Sequence, residues 1–278
     1  MNPSIILGMD QRAIGPLLST DADAVIPRAF NPTLRDARQA LVLGESKILC
    51  GAFGGSNVVR WIEHTANRQF NRRDLTITVI NKLRNTAIEA SLYDCLLTGA
   101  TFPALNKAST ADAVMSLSFQ AQRLTTRPIG GTEGLPLPPQ LKPWRICEFE
   151  FEIDGIVGAS SVQRVEPLTI KQGVKTVSPP GNRTPEIEPT RIEDSNVIVS
   201  LPFQSGKSFL DWSAAVTAKP NDYQNEKSGR LKYLARDKSV VAIVEFRALG
   251  PIAATKSGDL LRVEMYCAGM TVQAQGGF

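Results

Sequence analysis

A Gly-Lys-Ser triplet between a strand and a helix is where a phosphate-binding loop holds its anion. Gln204–Ser208 (QSGKS) follows an apolar run and precedes a helical one. The full loop also needs a glycine five residues before Gly206, so that successive amides curl around the phosphate, and position 201 is Leu201. Lys207 therefore reads as an exposed lysine at a helix entry. The single histidine, His64, has no neighbouring motif that supplies the nucleophile or carboxylate a general base works with. Cys50, Cys95, Cys147 and Cys267 stand far apart with no C-x-x-C pair, so they read as buried free thiols and not as a zinc site.

Glu148, Glu150 and Glu152 alternate along one strand face, with a second acidic stretch, EIEP, at 186–189. They lack the turn of a calcium loop, so an acidic wet face is the expectation. Arg72 and Arg73, near Arg68, form a basic cluster suited to a phosphate, a subunit contact or a solvated turn. Trp61 and Trp212 fall on helical faces and are expected as anchors of a helix on a sheet, with an exposed ligand platform as the alternative. These residues lead us to expect no catalytic, cofactor or metal site, and no enzyme.

With 278 residues and 42% hydrophobic content, the chain suffices for one large domain or two of ordinary size. A net charge of +4, spread along the sequence, does not by itself argue for nucleic-acid binding. No apolar run approaches the roughly 20 residues that cross a bilayer, and the start lacks a basic region and cleavage site. The expectation is a soluble protein that is not exported by a cleaved signal.

The elements that carry these residues occur twice. Residues 127–146 hold RPIGGTEGLPLPPQLKPW, a Pro- and Gly-rich stretch expected as a semi-rigid linker. Before it, a strand SKILCGAF precedes a helix SNVVRWIEHTAN; after it, NVIVSLPF precedes SFLDWSAAVTA, with Ser56 and Ser208 as expected N-caps. A hairpin follows each helix, then a loop with Pro103 or Pro251, then a strictly alternating strand after Asp112 or Asp259. The second copy opens with CEFEFEIDGIVGASSVQRV, where Phe149, Phe151 and Ile153 alternate with the three glutamates. The Asp154-Gly155 turn that follows predicts a β-hairpin. The opening SIILGMDQRAIGPLLST takes its place in the first copy, with a looser match. We therefore expect a mainly β protein of two tandem domains, each with one flanking helix. The first spans 1–126, the linker 127–146 and the second 147–278.

The order of a Trp-bearing helix, a hairpin DLTITVIN, an aromatic-Pro loop TGATFPAL and a final alternating strand resembles the tail tube protein family of contractile phage tails and related injection systems. That family commonly has Trp-Pro where this chain has Phe102-Pro103. The resemblance implies a β-sandwich or partly open β-barrel flanked by a helix, with six such domains joining their sheets in a ring. The rings stack into a tube within a sheath and baseplate and carry DNA or effectors. By this reading the chain is a virion structural protein, a tube subunit assembled in the host cytoplasm. Its partners are further copies of itself, sheath and baseplate proteins, and DNA passing without sequence readout; the subunit does not insert in a membrane. Two domains per chain allow a hexamer that stacks two rings, or a trimer that closes one pseudo-sixfold ring as tube-initiator or hub components do. Glu148, Glu150, Glu152, Arg72 and Arg73 become candidates for the channel wall or a subunit seam. A nucleotide-using enzyme at Gln204–Ser208 and a carbohydrate-binding β-sandwich with Trp61 and Trp212 as platforms are the competing classes.

Overall fold

The computed structural model describes residues 4–20, 43–51, 55–81, 85–130, 144–178, 185–218 and 223–274. Most of the linker, 131–143, and the segment 27–42 of the first copy lie outside the described residues. In chain order the first copy supplies β1 (Ser4–Met9), β2 (Arg12–Thr20), β3 (Glu45–Gly51), helix α1 (Gly55–Ala66), β4 (Arg73–Asn81), β5 (Thr86–Thr101), β6 (Leu105–Asn106), β7 (Val114–Gln120) and β8 (Arg123–Gly130). The second supplies β9 (Trp144–Ile153), β10 (Arg164–Val165), β11 (Thr169–Val177), β12 (Glu186–Asp194), β13 (Val197–Pro202), α2 (Lys207–Ala218), β14 (Lys227–Ala235), β15 (Val240–Ser257) and β16 (Leu260–Ala274).

Two compact β-barrel units form, each with one α-helix among the described residues, and they are not consecutive in sequence. Unit 1 takes Met1–Ala100, Met115–Leu141 and Lys171–Ile192; unit 2 takes Thr101–Val114, Lys142–Ile170 and Glu193–Phe278. The repeat boundaries at 126 and 147 follow sequence likeness, whereas packing follows strand pairing. Strand pairing assigns a hairpin of the second copy to the first barrel and a loop of the first copy to the second. The linker is also shorter than its composition suggests. Residues 127–130 finish β8, which pairs β5 from Tyr93↔Arg123 to Thr86↔Gly130, and 144–146 begin β9. Pro128 is tolerated at an edge: among the described residues β8 has a strand neighbour, β5, on one side only.

In unit 1 the pairings close a cycle, β5-β4-β1-β2-β3-β7 and back to β5, with β11 and β12 extending the sheet from β5. Closure leaves no open edge in the cycle itself. Alternation fills the interior as expected: Leu7, Met9, Leu75, Ile77, Met115, Leu117 and Phe119 are all at most 1% exposed. Helix α1 presents Val58, Trp61, Ile62 and Thr65 to this core on one face.

Unit 2 repeats the order. β9, β14, β15, β16, β13 and β10 occupy the places of β1, β4, β5, β7, β3 and β2. The correspondence reaches the backbone. β4 and β14 shift register at Arg73/Leu75 and Lys227/Gly229, and the opposing bulge places Asp94 at φ 52° and Ala248 at φ 51°. Of the two expected proline loops, that at Pro103 is a short one, 102–104, after β5 runs on to Thr101, whereas Pro251 lies within β15.

The predicted hairpin at Cys147–Val165 does not form. β9 and the turn at Gly155 (φ +73°) are present, but Val157–Ser161 makes a 3-10 turn, and the two-residue β10 pairs with β13 and β6 instead of β9. Small residues allow this. A Cβ on Gly158 would lie 2.4 Å from the Ser205 carbonyl oxygen, so the turn packs where a returning strand could not.

Candidate functional site

The glutamate face of β9 is paired, and the partners come from the strand beside it. Antiparallel register sets Glu152 opposite Arg230 and Glu150 opposite Lys232. The Lys232 ammonium lies 2.7 Å from Glu152 and 3.4 Å from Glu150, Arg230 Nε lies 3.1 Å from Glu152, and Lys238 donates to Glu148. Three carboxylates thus meet three cations in a ladder. The hydrogen bond to Glu152 is the main cause that raises the Lys232 pKa, and the bond to Glu148 does the same for Lys238. The expected acidic face is charge-balanced, because the residues that neutralise it lie some 80 to 90 positions away along the chain and are brought in by β14 (Arg230, Lys232) and the turn that follows it (Lys238). Beneath the ladder Phe149, Phe151 and Ile153 are buried, as the alternation predicts.

Lys107 completes the edge of this face. It donates to the Phe149 carbonyl and holds its ammonium 4.4 Å from the Phe149 ring centroid, and burial lowers its pKa. It belongs to the segment 101–114, which enters unit 2 whole. Phe102 is fully buried and stacks on Tyr233 with ring centroids 5.8 Å apart, and Trp144 meets the same tyrosine edge-on at 4.9 Å. β6 pairs β10, and Ala113 N–H donates to the Trp144 carbonyl at 2.8 Å. The barrel of unit 2 thereby closes at the Asp112↔Arg145 bridge.

Unit 1 has a polar clamp where its borrowed hairpin docks. Asn71 Nδ2 donates to Gln172 Oε1 at 3.1 Å and to Thr65 Oγ1 at 2.9 Å, and Gln172 Nε2 donates to the Leu97 carbonyl at 3.1 Å. Gln122 brackets β12 by donating to the Pro185 carbonyl and accepting from Ile187 N–H at 3.0 Å. Arg72 donates to the carbonyls of Ile187 and, at 3.3 Å, Asp94, so it holds backbone within the unit. Arg73 turns instead to Asp10, 3.3 Å away. The paired arginines therefore serve separate partners, and neither Asn71, Gln122 nor Gln172 carried a sequence signal.

On the outer face of unit 1 the same rows of strands carry smaller and less charged residues. Ile6, Thr78, Glu89 and Arg127 form one row, and Gly8, Thr76, Ser91 and Thr125 the next. Glu89 and Arg127 pair at 2.7 Å.

Both tryptophans are core anchors. Trp61 is 0% and Trp212 5% exposed, and neither can serve as a surface platform. Each indole N–H donates to the carbonyl of an asparagine just before the next strand, Asn71 and Asn225, ten and thirteen residues on. The two asparagines match in place, each just ahead of β4 or β14, while their distance from the tryptophan along the chain differs between the copies.

The Gln204–Ser208 stretch is filled by protein. Ser208, within the first turn of α2 and not at its cap, accepts the Gly158 amide at 3.1 Å, and a Cβ on Gly206 would meet Leu261 at 2.5 Å. Cys50 and Cys95 are buried, which pushes the Cys50 thiol up to about 12, while Cys147 and Cys267 are part-exposed. Among the described residues no three His, Cys, Asp or Glu side chains gather as a metal group, and no helix is long and apolar enough to cross a membrane.

No protein-family model and no curated protein matches the chain. Solved structures similar to part of the chain include two from the anti-feeding prophage. One, from the six-fold symmetrised cryo-EM structure of the anti-feeding prophage baseplate, is 10% identical with a TM-score of 0.36, over 46% of this chain and 93% of that one. The other, from the tube-terminating cap of the anti-feeding prophage, is 14% identical with a TM-score of 0.37, over 45% and 89%.

Proposed function

We propose that this chain is a structural subunit of a contractile tail or a related injection system, a two-barrel tube component that self-assembles into rings and conducts DNA without reading its sequence. The observation that carries the reading is the barrel built twice in one strand order, with β11 and β12 added to the edge of β5. The chain already extends a closed sheet by strand addition, the operation by which rings of such domains would join. The outer ladder of β9 and β14 suits a channel wall. Its paired charges neither hold phosphate as free arginines would nor present bare carboxylates to it, so nucleic acid passes without the counterion release that drives binding.

A second reading, a tube initiator or hub in which three chains close one pseudo-sixfold ring, is favoured by a separate observation. The two barrels have different outer faces, a Thr/Ser-rich one in unit 1 and a charge ladder in unit 2, as two non-equivalent ring positions would. Negative-stain micrographs and native mass of the purified full chain test both. Stacked tubes support the tube subunit and a closed trimer supports the hub. A monomer at high concentration, even with baseplate proteins present, refutes both.

A further inference from the structure

In each barrel one long strand outruns its neighbour. β4 covers β5 only as far as the Arg73↔Cys95 pair, and beyond it β11 takes the same edge, with Gln172 reaching the Leu97 carbonyl. β14 covers β15 only as far as Lys227↔Leu249, the equivalent pair. β15 then continues through residues 250–257, held on its other edge by β16 from Gly250↔Tyr266 to Ser257↔Leu260. Among the described residues no strand pairs with 250–257 on the edge that β14 leaves.

We propose that this edge, at Ala253–Ser257, accepts a β-strand from a second copy of this chain. The proposal rests on the assembly reading above and gives it a place. The kind of partner follows from unit 1, where the matching overhang is filled by this protein's own sequence: whatever selects β11 there is a property of the chain.

The limits of the acceptor follow from the backbone. Pro251 has no N–H to donate, and the ladder to β16 slips between Pro251 and Ala253, so regular pairing starts after the bulge. From Ala253 to Ser257 the register to β16 is unbroken. The flanking Ile252 is 53% exposed, a large apolar side chain beside an open edge that a partner would cover. Lys256, the one charged residue of the stretch, has its ammonium 4.5 Å from the Phe203 ring centroid.

The two acceptors differ in strength. In unit 1 the added hairpin is gripped by Arg72 and Gln122. Strand register equates these with Glu226 and Ala268 in unit 2, since Arg73 matches Lys227 and the pair Tyr93↔Arg123 matches Arg247↔Gly269. Glu226 accepts from the Tyr266 hydroxyl at 2.9 Å, and alanine has nothing to donate. An incoming strand at Ala253–Ser257 is thus held mainly by main-chain bonds, which suits a contact made between finished subunits and not during folding.

The test is amide exchange read by mass on the full chain, dilute and assembled, with Ala253→Pro and Ala254→Pro as variants. Adjacent residues of a strand point their amides to opposite edges, so one proline removes a bond to β16 and the other removes only an outward donor. We expect exchange at 253–257 to slow at least about tenfold on assembly. We expect one of the two variants to melt like the parent yet need about tenfold more protein to assemble. Assembly with unchanged exchange at 253–257, or with every normally folded variant assembling like the parent, overturns the proposal and leaves the subunit reading standing. Protection already complete in the dilute monomer also overturns it, because the edge is then covered by the same chain. No assembly at any concentration overturns both.

Discussion

The two barrels agree in their strand pairing and differ in how they are completed. Both hold a tryptophan whose N–H tethers an asparagine carbonyl, and both bulge at a residue with φ near +50° opposite the shift in the preceding strand. Unit 1 pairs β1 with β2 directly, whereas in unit 2 a 3-10 turn stands between β9 and β10 and the segment 101–114 closes the gap. Duplication has kept the pairing geometry, which the core enforces, and let the connections diverge. The sharpest way to break this comparison is Phe102→Ala. Phe102 is encoded in the first copy but is fully buried in unit 2, so its loss should cost about 3–5 kcal/mol there. Amide exchange should accelerate in β14 and β9 well before β4 and β7. Equal destabilisation of both units would show that they do not fold separately enough for the comparison to hold.

The hairpin clamp gives the next effect. Gln172 is 6% exposed and satisfies both Asn71 and the Leu97 carbonyl, so Gln172→Ala leaves two buried polar groups without that partner. A loss of about 1–3 kcal/mol is expected, read as faster exchange or proteolysis confined to β11 and β12. The counterpart Ala268→Gln in unit 2 adds a donor at the position equivalent to Gln122, and should leave the melting of the monomer unchanged while strengthening assembly. Weaker assembly from that substitution would show that the equivalence does not extend to this edge.

Period-two and helical patterns were enough to place the glutamate face, the interior of β7 and the buried face of α1, because each is decided by a side chain's own neighbours along the chain. What escaped is long-range. Glu148, Glu150 and Glu152 are acidic in sequence and balanced in the fold because Lys232 and Arg230 arrive through strand register and Lys238 through the turn after β14. The Asp154-Gly155 turn signalled a hairpin, and Gly158 allowed a tighter path. Pro128 suggested a linker, and a single-sided edge strand accommodated it. Above all, the sequence repeat runs in consecutive blocks while the barrels do not, since nothing local in Thr169–Asp194 or Phe102–Ala113 announces which barrel it will complete.

The smallest effect concerns the ladder, and its sign is fixed by the lysines. Lys232 has its pKa raised in the fold chiefly by the bond to Glu152, so its contribution to stability is fully present below its ordinary value of 10.5 and is lost as pH rises through the higher folded value. Between pH 7 and 10 the ladder should therefore leave stability flat, with a decline only in alkali. Lys232→Met should remove about 0.2–1 kcal/mol at neutral pH, less at high salt, and should flatten that alkaline decline. Unit 1, whose matching row position is the uncharged Thr78, should lose nothing in the corresponding Thr78→Val variant that depends on salt. A salt-dependent loss there would mean that the charge difference between the two outer faces does not set their electrostatics. Assembly of Lys232→Met then separates two roles for the ladder. Normal rings with altered DNA passage fit a channel wall, whereas lost rings with a normally melting monomer place the same three carboxylates at a seam between copies.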